Sequence, residues 1–300
     1  MAPAKSNTLT VNGRQYTLSE FMPEVVPLAK ELASNARLLA DSPLPVDIDL
    51  SEVEQREVQA QIPAILILPP QVISIFWSAF ASAHLPALAS ALRRLSHATQ
   101  RQALSTAIQI LSLLPDPKEN PYFRKFLRSP TASKGIPNIV ANAFVQGTTW
   151  KRPSGPGHHC TLIIHTLFWC DPKDGDDGKA CVDAGIRTAL ASAVQSLLES
   201  INDNNALAPD KAREFTLQRV EMERLLGVLQ GIDSMPGSHF LDSTRGYLVG
   251  QVDDVCGGDM CGEEAEMWCS KCKTVRYCGE KCQAWHWKNG HKFACFKTDY

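Results

Sequence analysis

The chain has 300 residues, 44% of them hydrophobic, a formal net charge of −2 and an isoelectric point near 6.4. That is enough apolar material for one large domain or two. The near-neutral balance excludes a general electrostatic pull toward nucleic acid or an anionic membrane surface.

Residues 1–17 read as a polar segment with a brief strand at Thr8–Tyr16. Met1–Thr10 contains no apolar run of the kind a secretory signal needs, so an intracellular setting, cytoplasmic or nuclear, is expected. Residues 18–250 read as an all-helical domain. Phe21, Val25, Leu28, Leu32 and Leu38 recur at helical spacing, with Pro23 and Pro27 near the start. Ser42–Pro45 reads as a turn. Ser51 followed by Glu54 marks a capped helix over Ser51–Ala60, and Pro63 with the Pro69–Pro70 pair is expected to interrupt the chain.

Val72–Leu92 contains no Asp, Glu, Lys or Arg and is long enough to cross a bilayer. Its four serines, His84, mid-segment Pro86 and many alanines suit a helix buried in protein instead, and no membrane span is expected. Further helices are expected at Thr99–Leu114, Cys181–Ile201 and Asp210–Gln230, the last closed by Gly231. Tyr122–Leu127, Ile136–Phe144 and Ser238–Gly250 complete the body. Thr106–Lys118 and Thr161–Lys173 are both apolar runs ending in Asp-Pro-Lys, 55 residues apart, which points toward stacked helices. The fold class expected is mainly α: an irregular, armadillo-like helical-repeat body with a small metal-held unit at 253–296, joined through an acidic hinge at Asp253–Asp254.

The body offers no phosphate-cradling Gly-Lys-Ser loop, no Gly-x-Gly-x-x-Gly turn and no Gly-x-Ser-x-Gly elbow. His158, His159 and Cys160 adjoin, with Cys170 and Cys181 nearby, but their spacing suits neither a zinc pair nor a nucleophile with its base. Buried structural cysteines are expected there.

The chemistry concentrates in 256–295, which holds seven of the ten cysteines and a histidine. They fall into four close pairs: Cys256 and Cys261, Cys269 and Cys272, Cys278 and Cys282, His291 and Cys295. Each short spacing lets two side chains turn onto one metal ion. Two pairs complete a tetrahedral zinc, so eight ligands make two zinc sites with no vertex left for water. Such sites hold structure and do not hydrolyse, and no enzyme activity is expected. Spacing leaves sequential and interleaved pairing equally open. His286 is a second candidate imidazole, four residues after Cys282.

Read in order, Cys269-Ser270-Lys271-Cys272, Arg276-Tyr277-Cys278, Cys282-Gln283, Trp287, His291-Lys292 and Cys295 resemble the MYND zinc finger over the last fifth of the chain. The first pair departs from that pattern, with four intervening residues where the family usually has two. The resemblance implies His291 as the imidazole ligand. It also implies interleaving: Cys256, Cys261, Cys278 and Cys282 on one zinc, and Cys269, Cys272, His291 and Cys295 on the other. It further implies a groove for proline-rich peptides lined by Gln283 and Trp287, and hence an interaction adaptor, with transcriptional regulation as a setting. A proline-containing strand is already extended, Trp supplies a flat apolar face and Gln pairs with backbone. Two other readings carry less. Some MYND fingers interrupt SET-type lysine methyltransferases, but this finger lies at the end of the sequence and no Asn-His-x-Cys motif precedes it. Nucleic-acid binding would rest on Lys271, Lys273, Arg276, Lys281, Lys288, Lys292 and Lys297, whose charge the bound thiolates largely offset.

Overall fold

In the computed structural model the uncharged stretch forms a helix over Pro70–Arg94, and fourteen of its residues are buried. The structure describes residues 8–11, 14–39, 43–202, 209–258, 261–298 and 300. Residues 1–7, and Ser42 of the expected Ser42–Pro45 turn, lie outside them. Among the described residues this helix alone is long and apolar enough to cross a membrane, and 67% of its apolar window is covered by protein. Phe76, Trp77 and Phe80 cluster on it, with Trp77 set edge-on to both rings. These large apolar groups supply the main driving force for the body's core.

A hairpin comes first, β1 (Thr8–Val11) pairing antiparallel with β2 (Arg14–Thr17) in the register Leu9 opposite Tyr16. Then come α1 (Leu18–Asn35), α2 (Glu52–Leu66), the core helix α3 (Pro70–Arg94), α4 (Arg101–Ser112) and α5 (Pro121–Arg128). The body continues with α6 (Ile136–Gln146), α7 (Pro156–Trp169), α8 (Ala184–Asn202), α9 (Pro209–Ser234) and α10 (His239–Val252). Helix α3 packs against α1, α4, α5 and α6, while α7 and α9 pair beside them. These contacts make one mainly helical body. They do not establish the regular superhelix of an armadillo array.

Local chemistry explains where several elements start. At the head of α2 the Ser51 amide donates to Glu54 Oε2 at 2.8 Å, and the Glu54 amide donates to Ser51 Oγ at 3.3 Å. This is the reciprocal box expected from the sequence. We expect Ser51→Ala to cost about 1 kcal/mol, read as a small shift in a denaturant melt with an unchanged slope.

Two expected stops are overridden. Pro63 lies within the final turns of α2 rather than ending it. Its fixed φ is helical, and Ile62 and Ile65 are buried at 1% and 0% exposure on the face the helix turns inward. Gly231 lies inside α9, which runs on to Ser234. A Cβ at Gly231 would meet the Phe240 ring at 2.6 Å, so this glycine admits α10 to close packing instead of capping a helix. The Asp-Pro-Lys echo also has a local cause. Asp116 Oδ1 accepts from the Lys118 amide at 2.8 Å, and Asp171 Oδ1 from the Lys173 amide at 3.1 Å. Both are the same Asp-anchored turn after a helix end.

Cys160, Cys170 and Cys181 are all buried, as expected. His159 is a core histidine: its Nε2 lies 2.8 Å from the Val140 carbonyl, and Trp150 Nε1 donates to its Nδ1 at 3.3 Å. Burial pushes its pKa down to about 4 and keeps the ring neutral.

The acidic hinge is not found. Asp253 is buried, with Arg124 Nε 3.1 Å from its Oδ1 and Arg128 paired to its other oxygen. A carboxylate enclosed by two guanidiniums fastens the end of α10 to α5.

Candidate metal centre

Beyond α10 the chain folds on short local devices. Val255 bridges Glu264, and β3 (Met267–Trp268) pairs antiparallel with β4 (Arg276–Tyr277). Between these strands the chain turns back on itself. The Cys269 amide donates to the Val275 carbonyl at 2.8 Å, and the Lys273 amide to the Cys269 carbonyl at 2.9 Å. Lys273 closes that turn at a φ of 52°. The turn points Cys269 and Cys272 the same way. Next, α11 (Glu280–His286) sets Cys282 one turn beyond Cys278. At Gly258 a Cβ would sit 2.9 Å from that of Cys282, so only glycine lets the first loop approach so closely. A wide turn at Trp287–His291 is broken by Gly290 at a φ of 134°, which swings His291 inward ahead of α12 (Lys292–Ala294).

Two four-ligand clusters result: Cys256, Cys261, Cys278 and Cys282, and Cys269, Cys272, His291 and Cys295. The pairing that spacing left open is therefore interleaved. In the first cluster, Cys261 and Cys278 sulfurs are 3.5 Å apart, Cys278 and Cys282 3.5 Å, and Cys282 and Cys261 3.6 Å. In the second, Cys269 and Cys295 sulfurs are 3.7 Å apart, and His291 Nε2 lies 3.4 Å from Cys269 Sγ and 3.7 Å from Cys272 Sγ. A disulfide would bring sulfurs to ~2.05 Å. Zinc–sulfur bonds of ~2.3 Å in a tetrahedron instead give edges of about 3.8 Å. The clusters have the edges of metal tetrahedra, and the donor sets, four thiolates in one and three with an imidazole in the other, suit two zinc ions.

The surroundings act unevenly on the donors: Cys256 and Cys269 are held below the ordinary thiol value, whereas a hydrogen bond with Cys261 raises Cys278, burial raises Cys295, and Cys282 is raised as well. Burial works against an anionic Cys256, but the Cys278 and Gly258 amides, each donating to its sulfur at 3.3 Å, hold its thiol below the ordinary value. Burial, with His286 and Lys271 nearby, pushes His291 down to about 4, so it remains a neutral ligand. His286 is not in either cluster. It stacks on His291 with ring centres 4.8 Å apart, and its Nδ1 lies 3.0 Å from the Tyr277 hydroxyl. It packs against the ligand and belongs to neither donor set.

Gln283 and Trp287 lie one turn apart at the end of α11. Trp287 meets His291 edge-on at 6.0 Å and keeps 40% of its surface open. Trp285 and Trp268 are also exposed, and the Arg276 guanidinium lies 5.3 Å above the Trp268 ring.

The family model of the MYND finger matches residues 256–295. Residues 256–295 are a MYND finger. MYND fingers are protein-interaction modules. The chain is also 36% identical over 88 residues to ubiquitin carboxyl-terminal hydrolase 17 of Arabidopsis thaliana, covering 29% of this chain and 12% of that protein. Hydrolase 19 of the same plant is 46% identical over 54 residues, 18% of this chain and 8% of that one. Programmed cell death protein 2 of Rattus norvegicus is 44% identical over 41 residues, 14% of this chain and 12% of that one. The chain thus spans about an eighth or less of the length of these relatives. No solved structure matches it.

The MYND finger is seated on the body by contacts that its own motif does not reveal. Tyr122 on α5 places its hydroxyl 2.7 Å from the Ala294 carbonyl and accepts from the Phe296 amide at 2.6 Å. The Tyr300 hydroxyl donates to the Ala81 carbonyl of α3 at 2.7 Å. These partners are some 170 and 220 residues apart in sequence, so no local pattern pairs them.

Proposed function

We propose that the chain is a non-enzymatic adaptor whose MYND finger binds proline-rich peptide segments across Gln283 and Trp287, while the helical body engages a second partner. The observation that carries this reading is the open Trp287 ring, 40% exposed although it backs onto a zinc ligand. An aromatic held rigidly by a metal site, one helical turn from an amide side chain, offers a flat apolar platform beside a hydrogen-bonding group. Both metal sites have four protein donors, which supports a structural rather than catalytic role for zinc. The matches to these ubiquitin hydrolases cover 29% and 18% of this chain and 12% and 8% of theirs, so this reading takes no hydrolytic activity from them. It places the adaptor in the cytoplasm or nucleus, with transcriptional regulation as one setting.

A proline-rich peptide array probed with the full chain tests the reading. Trp287→Ala is expected to weaken retained peptides by about tenfold or more, the loss typical of a buried aromatic anchor. Zinc content stays at two per chain. Equal retention by the variant, or no retention of any proline-rich peptide by the parent chain, would refute it.

A further inference from the structure

A cleft lies where the finger meets the body. Its volume is about 370 Å³, and it is lined by Arg124, Lys125 and Arg128 of α5, by Trp268 and Lys273 of the finger, and by Asp253. Neither Gln283 nor Trp287 lines it. Four cations and one carboxylate line it, and that carboxylate is already engaged by Arg124 and Arg128. Arg124 is otherwise spent on the carbonyls of Pro117 and Lys118 at 2.6 and 3.2 Å. The charge left to a ligand is therefore that of Lys273, of Arg128, whose side chain is 42% exposed, and of Lys125, whose Nζ meets only the neutral Thr298 hydroxyl at 3.4 Å and the Tyr300 ring at 5.9 Å. Behind Arg128, Arg245 of α10 adds a further positive charge and has a buried Nη2 without a partner among the described residues. Asp254 lies close by but pairs with Arg276 at 3.7 Å. Of the two loaded zinc sites, formally −2 with four thiolates and −1 with three, the second adjoins the cleft through Cys272 and Lys273. The four lining cations against Asp253 and that one zinc-site charge leave the local balance positive, although the finger as a whole is largely offset.

We infer that this cleft binds a phosphorylated serine or threonine on a peptide segment, the phosphate between Lys125, Arg128 and Lys273 and a neighbouring apolar residue on Trp268. A phosphomonoester carries about −1.5 to −2 charges at neutral pH and three acceptor oxygens, which matches the surplus better than a lone carboxylate. Trp268 is 48% exposed at the rim, and Arg276 stacked on it fixes the ring as a platform. The cleft is too small to seat a nucleic-acid duplex. Because it is built from both the body and the finger, it exists only while the finger is docked.

The test uses the zinc-loaded full chain and three oriented peptide libraries that differ only at a fixed central residue: phosphoserine, serine or glutamate. The phosphoserine library is expected to be retained above both others and to be released by rising salt. Lys125→Ala combined with Lys273→Asn, asparagine accepting the left-handed φ of 52° at that turn, should weaken retention by about tenfold or more through loss of two charge-assisted contacts. Zinc content and proline-peptide binding should be unchanged in that variant. Trp268→Ala should weaken retention and Trp287→Ala should not. Equal retention of the three libraries, no retention, indifference to the double substitution, or loss with Trp287→Ala would each overturn the inference.

Discussion

Chelation is expected to release two zinc ions per chain and unfold residues 256–295 while the body keeps its helices. The finger has little else to hold it. Apart from its buried ligands, its enclosed apolar side chains are few, chiefly Tyr277 and Phe293. Structural zinc contributes on the order of 10 kcal/mol or more per site, comparable with the whole stability of a typical domain. The body has its own core, in which Phe76, Trp77, Phe80 and Trp169 are all 2% exposed or less. Interleaving sharpens the prediction. The β3–β4 turn that supplies Cys269 and Cys272 lies between the segments supplying the first site, so His291→Ala or Cys272→Ser should loosen both sites. Three of the six tryptophans, Trp268, Trp285 and Trp287, report on the finger. Their emission should shift while most far-ultraviolet ellipticity remains. Acid acts in the same direction, since every thiolate ligand must stay deprotonated to hold metal. Zinc released with no change in emission and no gain in amide exchange at 256–295 would sink this account.

The metal ligands were legible because their information is local. Eight donors within forty residues, paired at helical and turn spacing, announce tetrahedral sites before any fold is known. Their partition was not, because spacing says which donors are near in sequence and nothing of how segments cross. Resemblance to the MYND pattern supplied the interleaving that the structure bears out. The core role of α3 was readable in the same way, from a stretch with no charge and many small residues. Misreadings arose where tertiary packing overrode a local cue. Pro63 and Gly231 are breakers by propensity, yet the buried face of α2 and the approach of Phe240 decide their use. Asp253 looked like part of a solvated acidic linker because its partners, Arg124 and Arg128, stand some 130 residues earlier.

Those distant partners make α5 the joint of the molecule, and Tyr122 its most sensitive point. This eight-residue helix holds the start of the finger through Asp253 and its end through Tyr122. The Tyr122 side chain is fully buried, and burial raises its hydroxyl pKa above the ordinary value, so it remains a neutral donor and acceptor. Tyr122→Phe keeps the ring but leaves the Ala294 carbonyl and the Phe296 amide without their partner. A cost of about 1–3 kcal/mol is expected for such unmatched groups. Tyr122→Ala also opens a cavity beside Phe296, whose ring centre lies 6.3 Å away, and should cost about 3–5 kcal/mol. Both variants should still bind two zinc ions, because no ligand is touched. The seating of the finger is what weakens, and amide exchange at residues 292–298 should rise before that of the zinc turns. A Tyr122→Phe chain with parental melting and parental exchange in that segment would show that the finger does not depend on this hydroxyl for its place on the body.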